Sequence, residues 1–245
     1  MSKPFHRTIS FIRGDYISVL RDSMMGILFI SPVLIGLAIR ILLPYLQEIL
    51  DRFFNFDLTC YFTGISGFLI QLPPLLYGLV AGFIIIDERD EGVLQYLTVT
   101  PLSRGGYLAY RIIMPSLASI AASVLCLAIS AIVPVFFFKL LPVLILSSLG
   151  SPLIALLLAA YAHDKIAALP LTKLISLSLL PALVVFFCDS PLQFICGITP
   201  AFWIVKAIVS LYRNDPFYLV YTFGGLFMTT IYMFILYRIF SRKVL

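Results

Sequence analysis

The sequence predicts an all-α protein that crosses a membrane six times, and three observations predict it. Of its 245 residues 61% are hydrophobic and only 12% charged, with a mean hydropathy of +1.06; soluble domains carry roughly a quarter charged residues. Apolar runs of ~20 residues, the length a helix needs to cross the hydrocarbon core, recur along the chain. Lys and Arg gather on one side of those runs.

The elements follow in order. Residues 1–24 are too polar for a removable signal peptide. Phe5, Ile9, Phe11, Ile12, Tyr16, Ile17, Val19 and Leu20 alternate there with Arg7, Arg13 and Arg21, which predicts an amphipathic helix lying in the interface. The spans are expected at about 25–46, 62–86, 112–138, 141–162, 170–188 and 217–240. Arg40 sits near one end of the first, and Pro170 and Pro181 interrupt the fifth. The stretch PLQFICGITPAFWIV, 191–205, is too short and too broken by Pro and Gly to cross alone. It predicts a re-entrant or interfacial element within 189–215, with its backbone covered by protein. The three segments, 1–24, the polar loop 87–106 and 189–215, belong to a single transmembrane domain.

Six spans put both termini on one side. Twelve of the 17 Lys and Arg fall there, among them Arg7, Arg89, Arg104, Arg111, Lys165 and Arg242. That excess predicts cytoplasmic termini and a cytoplasmic 87–106 loop. The net charge of +5 is a matter of this topology, and no nucleic-acid partner is expected. The four cysteines show no CxxC or CxxH spacing, so no metal is expected. Cys188 and Cys196 flank a short outer segment and are close enough either to pair or to stay free.

Catalysis finds little support. Gly64-Ile65-Ser66-Gly67 matches the GxSG nucleophile motif of rhomboid proteases, and His163 is a nominal base. Nucleophile and base must come within ~3 Å, yet this topology sets Ser66 and His163 at opposite faces, ~30 Å apart. The glycines and serine are explained by helix packing. HExxH, Walker-type GxxxxGK[ST] and paired intramembrane carboxylates are absent from the sequence. No ionisable residue stands mid-span, as an ion-coupled transporter would need.

The segment DERDEGVLQYLTVTPLSR, 87–104, is the feature left to explain. Gly92 and Pro101 bound it. Val93, Tyr96, Leu97 and Thr100 fall at i, i+3, i+4 and i+7, giving a two-turn helix one apolar face. Asp87, Glu88, Asp90 and Glu91 precede that helix at its positive end, and Gly105-Gly106 is expected to turn the chain into the third span. So short a helix needs something to pack on. Its acidic flank is repelled by anionic headgroups, which points to a protein partner.

These residues, Glu88 through Arg104, resemble the E-x-G-T-[LI]-x-x-L-x-x-[TS]-P-[LVI]-[SR] loop of type-2 ATP-binding-cassette permeases. Val93 stands where that family usually has Thr, and Arg111 opens the third span where Lys is frequent. The wider layout of interfacial helix, six spans and broken outer segment is also similar to the family's. The resemblance implies a coupling helix of Glu88, Glu91, Gly92, Val93, Leu94, Tyr96, Leu97, Thr100, Pro101 and Arg104 seated on a separate ATP-binding subunit. That subunit, and not this chain, would bind ATP and Mg²⁺. It further implies a second permease chain, identical or different, and a bacterial cell membrane. The spans lining the dimer interface in that family here contain Gln71, Pro73, Pro74, Tyr77, Ser176, Ser178, Phe186 and Phe187, so these are the expected substrate-pathway residues. The expected function is export of a hydrophobic or amphipathic drug, antimicrobial peptide or lipid, by a chain that is not itself an enzyme. A membrane anchor or sensor of an ATPase that transports nothing would use the same loop.

Overall fold

The computed structural model describes residues 14, 19, 21–92, 104–187 and 190–243. The expected interfacial helix therefore lies almost wholly outside the described residues. Among them there is no strand, and six helices are long and apolar enough to cross a membrane.

The first span, α1, is Ser23–Phe54. Its start is fixed by Asp22, whose side chain accepts from the amides of Met24 and Met25 at 2.9 and 3.4 Å, a cap that satisfies two orphan donors. Asn55, in the left-handed region at φ 48°, ends it. Its 32 residues make ~48 Å of helix. It outruns the expected 25–46 because nothing in LQEILDRFF breaks a helix. Pro32 removes the donor to the Leu28 carbonyl, and the Ser31 hydroxyl donates to that oxygen at 2.8 Å.

The second span, α2, is Phe62–Asp90 and forms the axis of the bundle. Its apolar stretch is 89% buried, against 11% for α1. Small residues explain how neighbours come so close. A Cβ on Gly78 would stand 2.7 Å from the Ser151 carbonyl oxygen, and one on Gly82 2.7 Å from Leu158. Pro74, at the middle, leaves the Ile70 carbonyl without its helical donor. Ser123 and Ser147, from two different helices, both donate to that oxygen at 3.0 Å. The proline site in α2 is thus tied from two sides.

The third span, α3, is Arg104–Ser130. It begins before the expected 112, and Gly105-Gly106 sit in its first turn instead of forming a reversal. It also ends before 138. Ala131 adopts φ 51°, and Pro134 disfavours helix in the residue before it. The fourth span is two helices, α4 Phe137–Ser148 and α5 Gly150–Tyr161, joined at Leu149; Pro152 cannot donate across that joint. The fifth is α6 Lys165–Leu177, a 3₁₀ turn Leu180–Leu183 holding Pro181, and α7 Val184–Phe187. It starts ahead of 170 because Asp164 caps it, accepting from the Ala167 amide at 2.6 Å.

The segment expected to be re-entrant is a hairpin of 3₁₀ helix, Pro191–Ile198, and α8, Pro200–Tyr212. Its tip at Ile198–Pro200 shares a cavity with the middles of α2 and the fourth span, and Tyr212 returns to the loop between α3 and α4, donating to the Pro134 carbonyl at 2.7 Å. Protein covers α8: nine of its residues, from Ala201 to Leu211, are buried. Cys196, beside the tip, carries a free thiol; Cys188 lies outside the described residues. The last span, α9, is Tyr218–Lys243, and its Gly224 and Gly225 accept the Trp203 ring of α8.

Candidate functional site

Three consecutive residues end α2, and each reaches a different neighbour. The Glu88 carboxylate accepts from the Tyr107 hydroxyl and pairs with Arg111, both on α3. Arg111 is 3% exposed there. Tyr107 is fully buried, and its hydroxyl donates to Glu88. Arg89 donates to the carbonyls of Ala159, Ala162 and His163 at 3.1, 2.7 and 2.8 Å, neutralising the negative end of α5. Asp87 pairs at 2.8 Å with the Lys165 ammonium, which also holds Asp22 at 2.7 Å. The hydrogen bond from Lys165, helped by the Met24 amide, holds the Asp22 carboxyl below its ordinary range against the opposing effect of burial. The bridge is therefore complete at neutral pH, and its Asp22 half is lost only as pH falls through that lowered value.

This differs from the expected loop, in which Asp87 to Glu91 led into a cytoplasmic helix. Helix α2 continues to Asp90, and Gly92, at φ 72°, ends it one residue after Glu91. Asp87 and Glu88 turn inward because cations on other helices lie within reach. Of the remaining expected coupling residues, Val93, Leu94, Tyr96, Leu97, Thr100 and Pro101 lie outside the described residues. Arg104 opens α3.

A cavity of about 490 Å³ lies in the bundle beyond this knot. Gln71 and Pro74 of α2, Ser147 and Gly150 at the fourth-span joint, Leu171, Leu174, Ile175 and Ser178 of α6 and its C-cap, and the hairpin tip Thr199–Pro200 line it. Its walls are mostly aliphatic. The tip presents the first turn of α8, which has no side-chain cap, and so brings a partial positive charge to the wall. Gln71 is 5% exposed, its amide nitrogen donating to the Gly67 carbonyl at 3.2 Å.

Of the expected pathway residues, the fold brings Gln71, Pro74 and Ser178 to this cavity and separates the others. Tyr77 lines a second cavity of about 310 Å³ between α1, α2 and α3, stacked on Phe29 at 4.8 Å. Ser176 is exposed and bonds back to Thr172. Phe186 fills the space over Gly64 and stacks on Phe68, while Phe187 is 80% exposed. Sequence reasoning missed Thr199–Pro200. The Pro- and Gly-broken apolar segment was the available signal, since interrupted helices mark midplane sites in transporters.

A family described as fluoroquinolones export permease protein Rv2686c-like matches residues 15–237. Two curated relatives, both named fluoroquinolones export permease protein, come from Mycobacterium tuberculosis strains CDC 1551 and H37Rv. Each is 27% identical over 238 residues, covering 96% of this chain and 94% of the relative. No solved structure matches the chain significantly.

Proposed function

The chain belongs to the Rv2686c-like family of export permeases, and from that premise we propose that it is the membrane subunit of a type-2 ATP-binding-cassette exporter for flat, amphipathic drugs. The observation that carries the cargo class is the large cavity. Its volume of about 490 Å³ lies in the range of small-molecule sites, ~300–1,000 Å³, and its aliphatic walls suit an aromatic ring system. A fluoroquinolone, the compound class in the relatives' names, carries a keto-acid at one end of such a ring. The uncapped first turn of α8 suits that acid end.

ATP and Mg²⁺ act on a separate ATP-binding subunit, on which residues 91–101 dock with Leu97 at the centre of the contact. A second permease chain completes the complex in the bacterial cell membrane, with both termini in the cytoplasm. Replacing Leu97 with Asp is expected to abolish co-purification with the ATPase or to leave its hydrolysis uncoupled, with membrane insertion intact. Normal transport by that variant would remove the docking assignment.

Everted vesicles carrying both subunits test the cargo. ATP-dependent accumulation of a fluoroquinolone, followed by its own fluorescence, is expected, and Gln71→Trp should abolish it by filling the cavity. An intact complex that hydrolyses ATP and accumulates nothing would overturn the exporter reading in favour of a membrane anchor.

A further inference from the structure

We propose that Lys165 is a reversible latch that sets how far α6 stands from the bundle, and with it access to the large cavity. The proposal rests on the cavity as the cargo site. Helix α6 forms one whole wall of that space through Leu171, Leu174 and Ile175. Its outer face is open among the described residues: Ile166, Leu169 and Leu177 are 78, 44 and 57% exposed.

The wall is fastened near its cytoplasmic end by two devices. Ala168 is fully buried among Met25, Ile86 and Ala162. Lys165, one turn earlier, holds Asp22 of the α1 cap and Asp87 of α2. Among the described residues, these are the only side-chain hydrogen bonds or ion pairs joining α6 to another helix. Ala168 offers a single methyl group to the contact and Leu171 and Ile175 add apolar packing further along, so the ionic pair is the polar fastening of this end of the wall.

The chemistry of this pair suits reversal. Lys165, Asp22 and Asp87 are each about one-third exposed, at 35, 33 and 36%. Water replaces such bonds at small cost. The neighbouring Glu88–Arg111 pair, with Arg111 3% exposed, cannot open so cheaply. Asp87 also stands one turn before Glu91-Gly92, where α2 gives way to the segment proposed to meet the ATPase. The flexible Lys165 side chain can leave Asp87 while Glu88 and Arg89 keep their partners.

The test reads access without cargo. In full-length protein in membranes, with the four native cysteines replaced by serine, Gln71→Cys places a thiol inside the cavity. Its rate of modification by N-ethylmaleimide is expected to rise about threefold or more with Lys165→Met, consistent with losing a weak exposed pair. Lys165→Arg should return it to the original rate. An unchanged rate in Lys165→Met overturns the latch. If that variant does not fold, Asp87→Cys with Lys165→Cys replaces it. Joining those thiols with a short bis-methanethiosulfonate should slow modification of Gln71→Cys relative to the reduced form, and equal rates overturn the proposal. A rate that responds in a complex that accumulates no fluoroquinolone removes the exporter reading and leaves the latch standing.

Discussion

The second and fifth spans are both apolar and both broken by proline, yet they sit in the molecule in opposite ways. The apolar stretch of α2 is 89% buried, and that of Lys165–Phe187 is 17% buried. In α2 the carbonyl that Pro74 leaves free is taken up by two serines from separate helices. Around Pro181 the fifth span loosens into a 3₁₀ turn and divides into two pieces. The same residue type is accommodated in one continuous helix where neighbours surround it and accompanies a divided one where they cover one side only. The bundle therefore has a buried axis and a more exposed wall, with the large cavity between them.

Four substitutions break or sharpen that contrast. The largest effect is expected from Glu88→Ala, which takes the carboxylate from the buried Arg111 and should cost about 3–5 kcal/mol, seen as loss of a folded peak in detergent chromatography. Gly78→Ala comes next. The added Cβ meets the Ser151 backbone at 2.7 Å, an overpacking of about 1–3 kcal/mol that should lower the midpoint of a thermal melt. Removing both Ser123 and Ser147 hydroxyls should cost about 1–3 kcal/mol, because the Ile70 carbonyl is then buried without a donor. Either single Ser→Ala should cost much less, and equal single and double effects would mean that the tie is not shared. The smallest effect belongs to the outer wall: Ser176→Ala, exposed on α6, should shift stability by under ~0.5 kcal/mol in the same melt. A large loss there would mean that α6 is as firmly built in as α2.

Much of this was legible in the sequence. Span number and order follow from apolar length, and the segment too short and too broken to cross folds as two short helical pieces, Pro191–Ile198 and Pro200–Tyr212. Span ends were less legible. The α3 terminus depends on a left-handed Ala131, a conformation that alanine does not advertise. Gln71, Pro74 and Ser178, expected on the substrate pathway from the family resemblance, line one cavity, whereas Tyr77, Ser176, Phe186 and Phe187 do not line it. The acidic run before Gly92 was read as one patch because spacing along the chain cannot show which cation each acid meets. Lys165 and Asp22 lie 143 positions apart, and no local pattern joins them.

Arg89 leads somewhere different from its neighbours. Beside a loose 3.9 Å pairing with its neighbour Asp90, it donates to three neutral carbonyls, whereas Lys165 is held by two partly exposed carboxylates. Mobile ions screen the attraction between exposed charges, over ~8 Å at physiological ionic strength, but have little hold on a guanidinium bonded to peptide oxygens. Concentrated salt on that face of the bilayer thus slackens α6 and leaves α2 tied to α5, so the two attachments separate by their response to electrolyte.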